Sequence, residues 1–120
     1  MKAWIALLMA GALVGSAYAA DTSDAPPGIS AKGDGRWEVL CHAYVKGEMR
    51  TAILRPGQTR YSDPRMVRAE CSYRAGSEGT LTATVAGADT CPFSESSAEA
   101  CAITVSAGQG GSFKFRVKGR

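Results

Sequence analysis

The sequence predicts an all-β protein, and three observations lead to this prediction. Short runs of alternating apolar and polar residues recur along most of the chain, and a period of two is typical of half-buried β-strands. Segments containing glycine and proline separate these runs, as turns do. No stretch has the period of an amphipathic helix of normal length. We therefore expect a small antiparallel β-sandwich (Ig-like), or a small barrel, of about six or seven strands.

Residues 1–19 have the pattern of a secretory signal peptide. Lys2 precedes a short apolar run, and the segment ends in Ala17-Tyr18-Ala19, which places small residues at both positions that define a cleavage site. The apolar run is too short to span a bilayer. The sequence thus predicts cleavage after Ala19 and a protein without a membrane anchor, located in a periplasm or outside the cell.

Residues 20–35 are predicted to form a flexible N-terminal leader. They include Pro26-Pro27-Gly28 and have few large apolar side chains, so little burial is available to offset the entropy lost on ordering. The mature chain of about 100 residues suffices for one domain but not for two. We expect residues 36–120 to form that single β-domain.

Three segments alternate regularly enough to assign a buried face. Residues 37–45 carry Cys41 on their apolar side, and residues 67–73 carry Cys71 on theirs. Residues 81–85 alternate apolar side chains with threonines, which suit the exposed side of a pleated strand. We expect each of these segments to be a strand with one face in the core.

The remaining strands are marked by their turns. Residues 50–61 form a less regular strand and a short extended piece, separated by the turn signal Arg55-Pro56-Gly57-Gln58. Another turn is expected at residues 74–79. Residues 103–107 and 113–117 flank a glycine-rich turn, and this arrangement predicts a β-hairpin.

The four cysteines predict two disulfides, because thiols pair and persist in an oxidising compartment. Sequence alone permits three pairings of four cysteines. Shared apolar faces favour a Cys41–Cys71 bridge in the core, and a Cys91–Cys101 bridge would then close a short polar segment. No two cysteines form a C-x-x-C pair, and an oxidising compartment disfavours a thiolate metal site, so we expect no metal. Pairing of all four cysteines leaves no free thiol for catalysis, and we expect no cofactor.

Charge is distributed unevenly along the chain. The formal net charge of +3 is too small to indicate a nucleic-acid or membrane partner. Basic residues concentrate in segments 46–74 and 114–120. In the second segment Lys114, Arg116 and Lys118 alternate with apolar residues, so their charges lie on one side of the last strand. Two interpretations stay open, namely protection of an edge strand and a surface for an anionic ligand.

His42 is the one histidine of the chain. A nuclease needs a general acid, a general base and cations for the phosphate, and His42, Glu38 or Glu70, and Arg68 could supply them. The same residues also fit an ordinary solvated sheet face with cross-strand ion pairs. Without a motif, the sequence favours a structural histidine.

The segment from Cys91 to Cys101 is the strongest binding candidate. A disulfide-closed polar loop is preorganised, which lowers the cost of ordering it in a complex. We expect an exposed aromatic residue and two acids in it to meet the partner, together with adjoining polar strand faces. The candidate contact residues are Phe93, Ser94, Glu95, Glu99, Lys114, Arg116 and Lys118.

These observations predict a non-enzymatic binding module whose partner is a protein or an envelope polymer. A more specific version is an inhibitor of a cationic cell-wall hydrolase, in which Glu95 and Glu99 would meet basic residues of the hydrolase. Two alternatives are a small secreted hydrolase built on His42 and a structural subunit that donates or accepts an edge strand in an envelope assembly.

Overall fold

The computed structural model describes residues 26–93 and 101–120, so the predicted signal peptide lies outside the described residues. The described residues contain eight strands and no helix. The strands are β1 (Gly28–Gly33), β2 (Trp37–Val45), β3 (Glu48–Leu54), β4 (Arg60–Ser62), β5 (Met66–Ala75), β6 (Leu81–Ala86), β7 (Cys101–Val105) and β8 (Gly110–Arg116).

The strands form two four-stranded antiparallel sheets that pack face to face. The first sheet has the order β4-β1-β6-β7, and the second has the order β3-β2-β5-β8. Because no strand is shared between the two sheets and each sheet has two edge strands, the fold is a sandwich rather than a barrel. The predicted all-β class is confirmed, and of the two predicted architectures the structure has the sandwich, with eight strands among the described residues rather than six or seven.

The prediction of a flexible leader over residues 20–35 is wrong for Gly28–Gly33, which form strand β1. Ile29 is 2% exposed and belongs to the hydrophobic core, and β1 pairs with both β4 and β6. At Gly28 a Cβ atom would lie 2.4 Å from the carbonyl oxygen of Tyr61. Glycine at this position therefore permits a close backbone approach within a strand, and the domain begins before residue 36.

The core is built from the alternating faces that the sequence predicts. On β2, Val39, Cys41 and Ala43 are fully buried, and the apolar residues of β6 are buried likewise. On β5, the register shifts at the pairing with Val45, so Met66 is buried at the start of the strand. This irregularity is a β-bulge-like feature that the sequence pattern did not reveal.

Both predicted disulfides are present, and together they use all four cysteines. Cys41 and Cys71 are directly opposite each other on β2 and β5, with Cα atoms 4.0 Å apart. This bridge therefore joins neighbouring strands of one sheet, whereas the disulfide of antibody domains joins the two sheets. Two disulfides indicate an oxidising, extracellular or periplasmic environment.

The predicted hairpin between residues 103–107 and 113–117 is wrong. β7 pairs with β6 in the first sheet, and β8 pairs with β5 in the second. The glycine-rich turn carries the chain from one sheet to the other, with Gly108 at a φ of 75° and its amide donating to the Gly76 carbonyl. A β7–β8 hairpin would have left β5 and β6 each without one of their neighbours.

The tight hairpin lies instead between β2 and β3. Its two loop residues, Lys46 and Gly47, have φ values of 47° and 85°, and Val45 is opposite Glu48. Positive φ at both positions identifies a two-residue type I′ turn, whose twist matches that of the flanking strands. This turn fixes the register along β3, which is an edge strand of the second sheet.

Candidate binding face

The outer surface of β2, β5 and β8 gathers polar and basic side chains from three strands. We call it the basic face. It carries four cations and two carboxylates, because alternate residues of each strand point to solvent. Its residues are Glu38, Leu40, His42, Tyr44, Arg68, Glu70, Ser72, Arg74, Ser112, Lys114 and Arg116.

Strand register places these residues in rows across the sheet. His42 is opposite Glu70, and Glu70 is opposite Lys114. In a neighbouring row Arg68 lies between Tyr44 and Arg116. Directly opposite side chains have Cβ atoms about 4.5–5.5 Å apart. The fold therefore brings together residues of segments 46–74 and 114–120, the two basic parts of the sequence.

Arg68 makes two side-chain contacts within the basic face. Its guanidinium lies 3.8 Å from the centroid of the Tyr44 ring, and its Nη1 donates to Glu70 Oε2 at 2.8 Å. A cation over an aromatic ring and a charge-assisted hydrogen bond both hold it in place. Arg68 thereby covers Tyr44 and neutralises Glu70.

The carboxylates of the face do not neutralise Lys114 and Arg116. Glu70 is bound by Arg68, and Glu38 is opposite Arg74 on the neighbouring strand. Among residues 26–93 and 101–120, no Asp or Glu forms an ion pair with Lys114 or Arg116, and Arg116 Nη2 donates a hydrogen bond to Arg120 O at 3.5 Å. Like charges opposite each other destabilise a sheet, as Arg68 and Arg116 do here. An anion bound between them would remove that repulsion.

His42 is half-buried, and its Nδ1 lies 3.4 Å from the Thr51 hydroxyl. It shares a row with Glu70 and Lys114, and Arg68, the cation named from the sequence, lies in the neighbouring row and donates to Glu70. Glu38 lies four residues before His42 on the same side of β2. Within the described ranges, no group of three or more His, Cys, Asp or Glu residues is placed to hold a metal ion.

A groove joins the basic face to the start of the disulfide-closed segment. The Asp89 amide donates to the Arg116 carbonyl at 2.8 Å, so the chain after β6 follows the open edge of β8. The groove between them has a volume of about 340 Å³, and Arg68, Lys114, Arg116 and Pro92 are among its lining residues. Two sets of predicted contact residues, the loop and the last strand, therefore adjoin.

Phe93 does not have the predicted exposed position. It is 6% exposed and packs edge-on against Phe113 with ring centroids 4.8 Å apart, so it is a core residue that a partner cannot reach. The sequence did not predict that Phe93 is buried, because the residues after it are mostly polar and are typical of a solvated loop. Ser94, Glu95 and Glu99 lie outside the described residues.

The predicted one-sided charge of the last strand is confirmed. Lys114, Arg116 and Lys118 are exposed, and the apolar residues between them are buried. β8 is also an edge strand of its sheet. Sequence analysis did not predict that Tyr44 and Arg74 belong to the same surface, because alternation reveals faces but not which strands are neighbours.

No protein-family model matches this chain, and no similar protein was found among curated proteins or solved structures. None of the described residues belongs to a helix long and apolar enough to cross a membrane. The geometry and charge of the basic face are therefore the basis for assigning a function.

Proposed function

We propose that the mature chain is a non-enzymatic binding module of the periplasm or extracellular space, and that its basic face binds an anionic envelope polymer. The observation that carries this proposal is the excess of cations on the face. Both of its carboxylates have a cation beside them, which leaves Lys114 and Arg116 without an acidic side chain on the face; the hydrogen bond from Arg116 to Arg120 O is long and exposed. Electrostatic complementarity of this kind gives specificity and fast association.

The shape of the face favours a linear polymer over a compact ligand. It is an open sheet surface rather than an enclosed cavity, and Lys114 and Arg116 are about 7 Å apart along β8. Ser72 and Ser112 are opposite each other in a row beside that of Lys114 and can hydrogen-bond polymer hydroxyls. We therefore propose an anionic polysaccharide. Arg68 lies over one face of the Tyr44 ring, so a nucleic-acid base could not stack on that face without displacing it.

Charge reversal tests this proposal with a matched control. The double variant Lys114→Glu/Arg116→Glu changes the basic face, and Lys32→Glu/Arg60→Glu makes the same charge change on the exposed side of the first sheet. We expect the first variant to lose at least about tenfold in affinity for immobilised heparin, and the control to lose much less. Equal losses in the two variants would show that only net charge matters and would overturn the proposal.

A hydrolase built on His42 is the second candidate, and the row His42–Glu70–Lys114 favours it. In RNA cleavage, Glu70 would take the proton of the 2′-hydroxyl, protonated His42 would give a proton to the leaving 5′-oxygen, and Lys114 would stabilise the phosphate. An RNase assay of the wild type and His42→Ala tests it. Full activity of His42→Ala, or no activity of the wild type, rejects this candidate and leaves polymer binding intact.

The inhibitor version rests on Glu95 and Glu99, which lie outside the described residues. The groove beside the start of that loop is lined by three cations, Arg68, Lys114 and Arg116, and by the two acids Glu70 and Asp89. This small excess of positive charge does not favour a cationic hydrolase as the partner. Assays of the oxidised protein against lysozyme-type enzymes test this version separately, and absence of inhibition at micromolar concentration would reject it.

A further inference from the structure

The edge strand β3 has a free row of backbone hydrogen-bonding groups. Residues that flank a two-residue hairpin form a hydrogen-bonded pair, and such pairs then alternate along an antiparallel ladder. Because Val45 is opposite Glu48, the N–H and C=O groups of Met49, Thr51 and Ile53 point away from β2. Among the described residues, none of these three is in a backbone hydrogen bond outside the sheet.

The same three residues carry an unusual apolar surface. Met49 is 54% exposed and Ile53 is 37% exposed, and they are the two large hydrophobic residues exposed in the described part of the chain. They lie on the outer side of β3 with Thr51 between them. An exposed apolar edge of this length is a template for pairing with another strand.

We propose that two copies of this protein pair through antiparallel β3 strands, with Thr51 of each copy on the two-fold axis. In this register Met49 is opposite the partner's Ile53, and all free N–H and C=O groups of the three residues are paired. A shift of two residues leaves one end unpaired and places Met49 opposite a threonine. Self-complementarity of this kind is what a two-fold contact requires.

The charges of β3 are compatible with this contact. Arg50 Nη2 donates to Glu48 Oε1 at 3.1 Å within one copy, so neither charge needs a partner across the axis. The ion pair also lies on the side of β3 opposite Met49 and Ile53. A single pair of strands buries less than a standard protein interface, so the dimer is weak and concentration-dependent.

The dimer would place two basic faces on the same side of one continuous eight-stranded sheet. If the proposed function holds, one polymer chain then meets both faces, and binding gains avidity without a new contact. Dimerisation itself does not depend on the proposed function. Its failure and the failure of polymer binding are therefore separate results.

Sedimentation velocity of the mature oxidised protein over a range of concentrations tests the dimer. We expect the wild type to show a concentration-dependent dimer and Ile53→Lys to sediment as a monomer, whereas Thr84→Lys, on the first sheet, should behave as wild type. Unchanged circular dichroism shows that each variant is folded. A wild type that stays monomeric up to about 1 mM overturns the proposal, since even weak contacts populate a dimer there.

Cross-linking tests the register. A Cα–Cα separation of about 5.5 Å across the axis suits a disulfide between two copies of Thr51→Cys. We expect this variant to form a covalent dimer on mild oxidation faster than Thr84→Cys does. Equal cross-linking of the two variants would show that the contact is unspecific and would overturn the proposed pairing.

Discussion

Asp63 fixes the turn between β4 and β5 through its side chain. Its Oδ1 accepts a hydrogen bond from the Arg65 amide at 2.8 Å, the geometry of an Asx turn. This hydrogen bond, helped by the Arg65 guanidinium, lowers the pKa of the Asp63 carboxyl below its ordinary value. The stabilising contribution of Asp63 is therefore present above the ordinary aspartate pKa and is lost as pH falls through the lower folded-state pKa.

Asp63→Asn tests this pH dependence. We expect the wild type to lose more stability than Asp63→Asn between about pH 6 and about pH 2, because only the wild type has a carboxylate to protonate at this site. Urea unfolding midpoints at the two pH values measure the difference. Parallel losses in the two proteins would contradict the role given to this carboxylate.

Tyr61 has a buried hydroxyl without a hydrogen-bond partner among the described residues. A buried unpaired hydroxyl costs about 1–3 kcal/mol of desolvation. We therefore expect Tyr61→Phe to leave the free energy of unfolding unchanged or to raise it by about 1 kcal/mol. Chemical denaturation measures this, and a loss above about 1 kcal/mol would show that the hydroxyl makes a stabilising hydrogen bond.

The sequence predicted which side of each strand is buried more successfully than it predicted which strands are neighbours in a sheet. The alternation in β2, β5 and β6 assigned their buried sides, because the period of two is a local property. It did not reveal that β7 and β8 belong to different sheets, since each strand needs only some partner of suitable length. The basic face itself could not be predicted for the same reason, although several of its residues were candidates.

Phe93 anchors the segment that follows β6, and its removal should show this. We expect Phe93→Ala to lower the free energy of unfolding by about 3–5 kcal/mol, because it opens a cavity beside Phe113. Phe93→Leu is the matched control and should cost clearly less, since it keeps most of the buried volume. A loss below about 0.5 kcal/mol for the alanine variant would indicate a surface residue instead.

The whole molecule has two chemically different outer surfaces. The first sheet exposes mainly serine and threonine side chains together with Lys32 and Arg60, and Thr82 and Thr104 are hydrogen-bonded to each other at 2.8 Å. The second sheet carries the basic face. The four cations of the basic face lie together because β5 and β8, which hold all of them, are neighbours. Only the three-dimensional fold shows that β5 and β8 are neighbouring strands.

Amide chemical-shift mapping by NMR shows whether an anionic polymer binds the protein through the basic face alone. The mature oxidised protein would be titrated with a soluble heparin oligosaccharide at low salt. We expect changes in amide chemical shift that are concentrated at Arg68, Glu70, Lys114 and Arg116 and that become smaller as salt is added. The amides on the exposed side of the first sheet should not shift. Shifts spread evenly over both sheets, or confined to the first sheet, would contradict a dedicated basic face.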